Sequence, residues 1–303
     1  MESYLGQTRT PDELVVCDDC STDDTYAMLE RFQRRAPFPV QIFQNEAVLG
    51  STKNFEKAIG LCTGDIIATS DQDDVWLPEK LALCEAVFDI DPSVGLVFTN
   101  AEVVDEGLQA QGHLLWDAVQ FGLMLQHQVR QGRFFEAALR QWLVTGATMM
   151  FRSEYRQFVL PIPEVWIHDG WIALIIGAMA PVHMVSRSTL KYRQHGAQQI
   201  GGRKLSFREL YDKARELGPP YFRASLERFQ TAQERLLTFS QNLSNPAFLR
   251  MVDRKVEHQR RRLAISECNF RRKRATWAIE ELLRGGYRRY SPGFAHFIKD
   301  MIF

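Results

Sequence analysis

Asp65-Ile66-Ile67-Ala68-Thr69-Ser70-Asp71-Gln72-Asp73-Asp74-Val75-Trp76 is a short apolar run that passes directly into three carboxylates and an amide. An uninterrupted β-branched stretch of this length reads as a buried strand, and the polar cluster after it as the loop at its carboxyl end. Pro78 then opens a helix expected over residues 79–88, since proline is tolerated in a first turn. Upstream the pattern repeats. Residues 13–21 (ELVVCDDCS) form a second apolar run closed by acids, followed by a capping stretch, Ser21 to Asp24, and a helix over 24–35. Val40 to Phe43 gives another strand, Gly50-Ser51-Thr52 opens a helix that Gly64 ends, and residues 94–99 give a fourth strand. Strands alternating with helices at this spacing predict an α/β fold with a mostly parallel sheet. Ligands of such sheets bind beyond the carboxyl ends of the strands, where both Asp18-Asp19 and Asp71 to Asp74 fall. Crowded carboxylates there suit a hard divalent cation and a phosphate-bearing ligand. No GxGxxG follows the first strand and no GxxxxGK[ST] occurs, so neither dinucleotide nor P-loop phosphate binding is indicated.

The 303 residues carry no net charge, are 45% hydrophobic and contain five cysteines. That composition excludes a disordered chain and a disulfide-stapled miniprotein, and sparse cysteine fits a reduced, cytoplasmic setting. Residues 1–10 show no basic segment followed by an apolar one, so no secretory signal is expected. The longest apolar run, Trp171 to Val182, is too short to cross a membrane and reads as buried core. The neutral total conceals an asymmetry. Residues 1–202 hold 15 Lys and Arg against 26 Asp and Glu, whereas residues 203–303 hold 22 against 11. We therefore expect an acidic α/β domain over 1–202 and a basic helical region over 203–303, with the boundary near Gly201-Gly202. The runs Arg260 to Arg262 and Arg271 to Arg274 read as solvated helix faces, with peripheral contact to an anionic inner membrane as the functional alternative. They match no nucleic-acid recognition module, and no nucleic-acid partner is expected. Cys17 and Cys20 have CxxC spacing without a second ligand pair, so zinc is not expected.

Five segments in order carry a resemblance: PDELVVCDDCSTDDT (11–25), NEAVLGSTKNFEKAIGLCTGDIIATSDQDDVWLPEKL (45–81), TGATMMFRSEY (145–155), HDGWIALI (168–175) and LKYRQHGAQQIG (190–201). Together they resemble family 2 glycosyltransferases of the GT-A fold, especially rhamnosyltransferase-like members that build bacterial surface polysaccharides. The resemblance implies a transferase that moves a sugar from a nucleoside-diphosphate donor to a glycan or lipid-linked acceptor, with inversion and with Mg²⁺ or Mn²⁺. It implies donor contacts from Asp19 to the base, from Asp71 (first of the D-x-D motif) to ribose or sugar, and from Lys53. It implies Asp73 and His195 as metal ligands and Asp169 as the base that takes the acceptor proton. His168 stands where an acid is more usual, and reads as structural. Without the resemblance, Asp19 and Asp169 also read as helix-capping residues, Lys53 as a surface lysine and His195 as a turn histidine. Ahead of Glu2 the family has a strand without a counterpart here, so the domain reads as N-terminally truncated. That leaves a degenerate, inactive carbohydrate-binding or scaffold protein as the alternative function. Asp169, just ahead of an apolar helical run, is expected to be held ionised by the helix N-terminus.

Overall fold

The computed structural model describes residues 1–194, 218–292 and 294–302; His195 and the boundary at Gly201-Gly202 lie outside them. Two sheets are present among these residues. β1 (Leu14–Asp18) and β2 (Val40–Gln44) pair in parallel as a separate two-stranded sheet. β3 (Ile66–Ala68), β4 (Val75–Trp76), β5 (Leu96–Val104), β6 (Ala110–Leu114), β7 (Met149–Arg152) and β8 (Val182–Arg193) make a second. Its order is β3-β7-β5-β8-β4, with β6 on β5. Only β5 and β8 run parallel in it; β3–β7, β5–β7, β5–β6 and β4–β8 are antiparallel. The α/β architecture stands, but the sheet is mixed, not mostly parallel. β6 follows β5 by a tight turn, and β7 and β8 return through helical connections, residues 115–140 and 156–179, that leave β7 antiparallel and β8 parallel to β5.

β5 lies at the centre, and eight of its nine residues are buried. On one face packs the helix His168–Met179, which buries all but Gly170 of its twelve residues. This is the Trp171 run, and Trp171 itself is 0% exposed. A helix apolar all round must be covered on every side. The cover comes from the helix Pro219–Thr238 on the far side, followed by Ala247–Glu267. One continuous apolar cluster accordingly runs from Ile59 through Phe134, Trp166 and Ile175 to Leu236, Val252 and Tyr290. Further helices, Arg271–Leu283, Gly286–Tyr290 and Phe294–Ile302, finish the C-terminal region.

No ladder joins β1 to β3 among the described residues. Side chains tie them instead. Glu13 accepts hydrogen bonds from the backbone of Thr63 and Gly64 ahead of β3, and Asn54 donates to the carbonyl of Cys17 in β1. All five cysteines are free thiols.

Candidate functional site

The acidic loop leaves β3 and is fixed at three points. Thr69 donates from its hydroxyl to the carbonyl of Gly146 at 2.6 Å. Tyr4, in the short helix Glu2–Leu5, meets Ser70 at 2.9 Å and sits edge-on to Trp76. The backbone N–H of Arg193 donates to Asp74 Oδ1 at 2.9 Å, while Arg193 Nε donates to the carbonyl of Asp73. Asp74 Oδ2 is buried with no partner among the described residues. Burial first, then the neighbouring charges of Asp71 and Asp73, push the Asp74 carboxyl up to about 8 despite the Arg193 bond. Burial and Asp73 raise Asp71 to about 6.

Asp169 arrives from the opposite direction, at the first turn of His168–Met179. Its Oδ2 accepts the N–H of Gly146 at 2.9 Å and its Oδ1 the N–H of Gly170 at 2.6 Å. The 3₁₀ turn Gly146–Thr148 is therefore the hub. Its first residue, Gly146, donates its N–H to Asp169 and accepts from Thr69 at its C=O, and the next carbonyl, of Ala147, accepts from Lys80. A side chain at 146 would stand 2.6 Å from His168 Nε2, which makes glycine obligatory. Burial lifts Asp169 to about 7; the Gly146 and Gly170 bonds oppose this, Asp71 adds to it, and the Trp142 indole lowers it slightly. The expected ionising effect of the helix N-terminus is thus outweighed by desolvation. Tyr192 on β8 marks the meeting point, since its hydroxyl is kept neutral by burial and by the charges of Asp71, Asp74, Asp73 and Asp169 together.

The remaining expected residues fall into other places. Asp19 accepts from Asn45 and Leu49 on one oxygen and from Gly50 on the other, closing the loop before the helix Ser51–Leu61. Those bonds and the Lys57 charge hold it below its usual range even though burial acts upward. Lys53 is engaged by Glu56 and the carbonyl of Ile162, and no carboxyl of the acidic loop is among its partners. His168 is buried, stacked on Phe55 at 3.8 Å, and burial drives it down to about 3, so the ring is neutral.

Three participants escaped the sequence reading. Lys80 has no exposed surface, lies 3.9 Å over the Trp76 ring, and carries its charge beside Asp71 and Asp74; burial lowers it to about 8. Gly146 and Tyr192 belong to quoted motifs, but nothing in their spacing marks a hub. Glycine in a Thr-Gly-Ala-Thr stretch before a buried strand was the available signal for the first. Among the described residues, no three His, Cys, Asp or Glu side chains are grouped to hold an ion by themselves. The Asp71 and Asp73 oxygens nevertheless fit one in partnership with a diphosphate, because hard-oxygen sites of Mg²⁺ commonly use one or two carboxylates plus phosphate oxygens.

Residues 1–156 match the family described as glycosyl transferase family 2. An uncharacterized glycosyltransferase of Nostoc sp. is 27% identical over 203 residues, 65% of this chain and 60% of that protein. The dTDP-rhamnosyl transferase RfbG of Shigella flexneri is 25% identical over 247 residues, 77% of this chain and 79% of its own. Chondroitin synthase of Escherichia coli is 37% identical over 105 residues, 35% of this chain and only 15% of that protein. The chain thus spans less than two thirds of the Nostoc protein and a small part of the synthase. Among solved structures, a mannosyltransferase of Pyrobaculum calidifontis in complex with GDP-Man and Mn²⁺ superposes with a TM-score of 0.50 at 16% identity, over 99% of this chain and 80% of that one. S. aureus TarS 1-349 with UDP-GlcNAc gives 0.50 at 16% identity, over 99% and 84%. Both share the GT-A fold, in agreement with the fold expected from the sequence.

Proposed function

The chain belongs to glycosyl transferase family 2, and from that premise we propose that it transfers a sugar from a nucleoside-diphosphate donor to a glycan or lipid-linked acceptor during assembly of a bacterial surface polysaccharide. The observation that carries this reading is the convergence of Asp169 with the Asp71 to Asp74 loop around Gly146 and Tyr192. An acceptor hydroxyl is a poor nucleophile at neutral pH, so a positioned base must take its proton as the new C–O bond forms. Asp169, raised to about 7, is poised for that exchange. It is held by two backbone N–H groups, which fixes its orientation before the acceptor arrives. Asp71 and Asp73 take the donor side and would be the residues that hold Mg²⁺ or Mn²⁺ there. When bound, such an ion stabilises the charge that develops on the leaving diphosphate. Base and leaving group on opposite faces of the sugar make the transfer a single inverting displacement. Asp19 supports the base pocket by closing the 45–50 loop, a role for Lys53 is limited to the same wall, and His195 remains a proposed metal ligand.

Peripheral contact with an anionic membrane belongs to the same proposal. Phe270 (73% exposed) precedes the exposed cations Arg271, Arg272 and Lys273, and Leu283 (82% exposed), at the other end of that helix, precedes exposed Arg284. Apolar tips beside basic residues suit an interface of anionic headgroups. No helix among the described residues is long and apolar enough to cross a membrane.

A screen of nucleotide sugars for nucleoside-diphosphate release with Mn²⁺ present tests the central reading. Turnover that requires one donor and an acceptor, and that Asp169→Asn abolishes while donor binding persists, supports it. Undiminished turnover in that variant removes Asp169 as the base.

A further inference from the structure

Behind Asp169 lies a cavity of about 250 Å³, enclosed by the helix His168–Met179, the segment 138–144 and the C-terminal helices. Gly170 and Trp142 belong to its wall, and Trp142 packs directly against Gly170, the residue after Asp169. Arg140, Arg228, Lys255, Arg262 and His296 line it, and no Asp or Glu does among the described residues. Arg262 is neutralised by a two-pronged bond to Asp300 at 2.5 and 2.9 Å. Burial keeps His296 neutral, and among the described residues Arg140, Arg228 and Lys255 have only neutral acceptors. Arg140 donates from Nε to the carbonyl of Ser291, Arg228 from Nε to Val165, and Lys255 from Nζ to Tyr290 at 2.6 Å. The remaining donors of both guanidinium groups make no hydrogen bond among the described residues. Tyr221 and Pro292, both exposed, stand at the rim.

Cations are seldom taken out of water without a counter-charge, because desolvation penalises the charged form. Burial and the charges of Arg262 and Arg228 drive the Lys255 ammonium well below its ordinary range, and an anion brought among these groups would favour its charged form. A single carboxylate would offset only one of the two guanidinium charges and leave Lys255 without an anionic partner. A phosphate dianion or a diphosphate offsets two or more, and planar guanidinium groups match phosphate oxygens in geometry.

We propose that this cavity is an acceptor subsite that receives a phosphate-class anion carried by the acceptor, while the acceptor's reacting hydroxyl reaches Asp169 past Trp142. The assignment rests on the reading of Asp169 as the base. It adds that the acceptor is anionic and that the basic helical region contributes its binding charge.

Inorganic pyrophosphate is the probe, titrated calorimetrically into the full chain with EDTA present so that no ion bridges it to the acidic loop. Binding is expected, with a Kd at least tenfold weaker in Arg228→Gln and in Arg140→Gln, both at partly exposed positions and so expected to fold. Lys255→Met serves as a third variant. No binding, or equal binding by the wild type and both arginine variants, overturns the proposal. Two candidate acceptors separate the sources of the phosphate: a diphosphate-linked isoprenoid sugar in detergent and a soluble glycan bearing phosphodiesters. Competition by one against pyrophosphate identifies the source, and competition by neither overturns the acceptor assignment. Donor turnover is followed in parallel. If it is intact without pyrophosphate binding, the subsite alone fails; if it is absent despite binding, the transferase reading fails.

Discussion

At the scale of single residues, the environment of Asp169 decides the pH behaviour. With its carboxyl at about 7, the proton-accepting form is a minority in mild acid. Transfer is therefore expected to fall roughly tenfold per pH unit below about 7 and to level off above it, as a kcat profile would show. Asp169→Asn should lose at least about 10³-fold in kcat and the acidic limb with it, while donor affinity measured by calorimetry is retained. Gly146→Ala tests the hub. The added methyl meets the buried His168 ring, and displacing the residue-146 backbone strains both the Asp169 and the Thr69 bond. A stability loss of about 2–4 kcal/mol in urea unfolding is expected, with activity falling further than folding alone explains. The positions of Asp71, Asp73 and Asp169 were legible because strand ends and helix starts can be read from apolar runs. The upward shift of Asp169 was not. A helix N-terminus contributes about 0.3–1 kcal/mol toward ionisation, and only the tertiary packing discloses a desolvation that exceeds it. Lys80 was hidden for the same reason: a lysine at a helix start looks solvated until its surroundings are known.

Among elements, the junction of the β3 loop with the helix Lys80–Ile90 gathers desolvated groups of both signs, Asp71, Asp74 and Lys80. Asp71 and Asp74 are both raised, to about 6 and about 8. Carboxyls with raised values bind protons more tightly in the folded than in the unfolded state. Their contribution to stability is full below the unfolded value near 4 and is lost as pH rises through about 6 to 8. With EDTA present, the urea midpoint should decline over that window, and Mn²⁺ should recover most of the loss at pH 8 and little at pH 5. Lys80→Met removes the counter-charge and strands the Ala147 carbonyl, so unfolding at pH 8 should come earlier by about 2–3 kcal/mol. The first strands and helices follow the sequence reading to within a few residues, since each is an apolar run bounded by Gly, Pro or acid. Strand direction in the second half did not follow, because an apolar stretch such as Met149–Arg152 reads alike in either orientation.

For the whole molecule, the basic helices are part of the core and not an appendage. Trp166 donates its indole N–H to the carbonyl of Arg228, and Phe229, Leu236 and Val252 join the cluster around the helix His168–Met179. Deleting residues 218–303 would uncover Trp166, Phe134 and Leu174 together, and the shortened chain is expected to aggregate instead of remaining a folded catalytic unit, as light scattering would reveal. The sequence asymmetry divides the chain by charge alone, and charge says nothing of how deeply the acidic and basic parts interlock. Arg262 shows the difference: it sits in a run that reads as a solvated face, but it is buried against Asp300 and Tyr287. At 0.15 M salt, flotation with anionic vesicles should recover the full chain, and 1 M salt should release it.

The division of the strands into two sheets has a consequence for motion. β5 and β8 are welded by a long ladder, whereas among the described residues no ladder ties β1 and β2 to that frame; the carboxylate of Glu13, the amide of Asn54 and the apolar packing of Val40 and Phe38 with Trp76 and Leu81 hold them there. Two strands without a third are marginal by themselves. The wall that carries Asp19 is thus a hinged leaf on a stiff frame: its backbone amides should trade deuterium orders of magnitude faster than those of β5, and saturating nucleotide should slow them toward the frame's own pace.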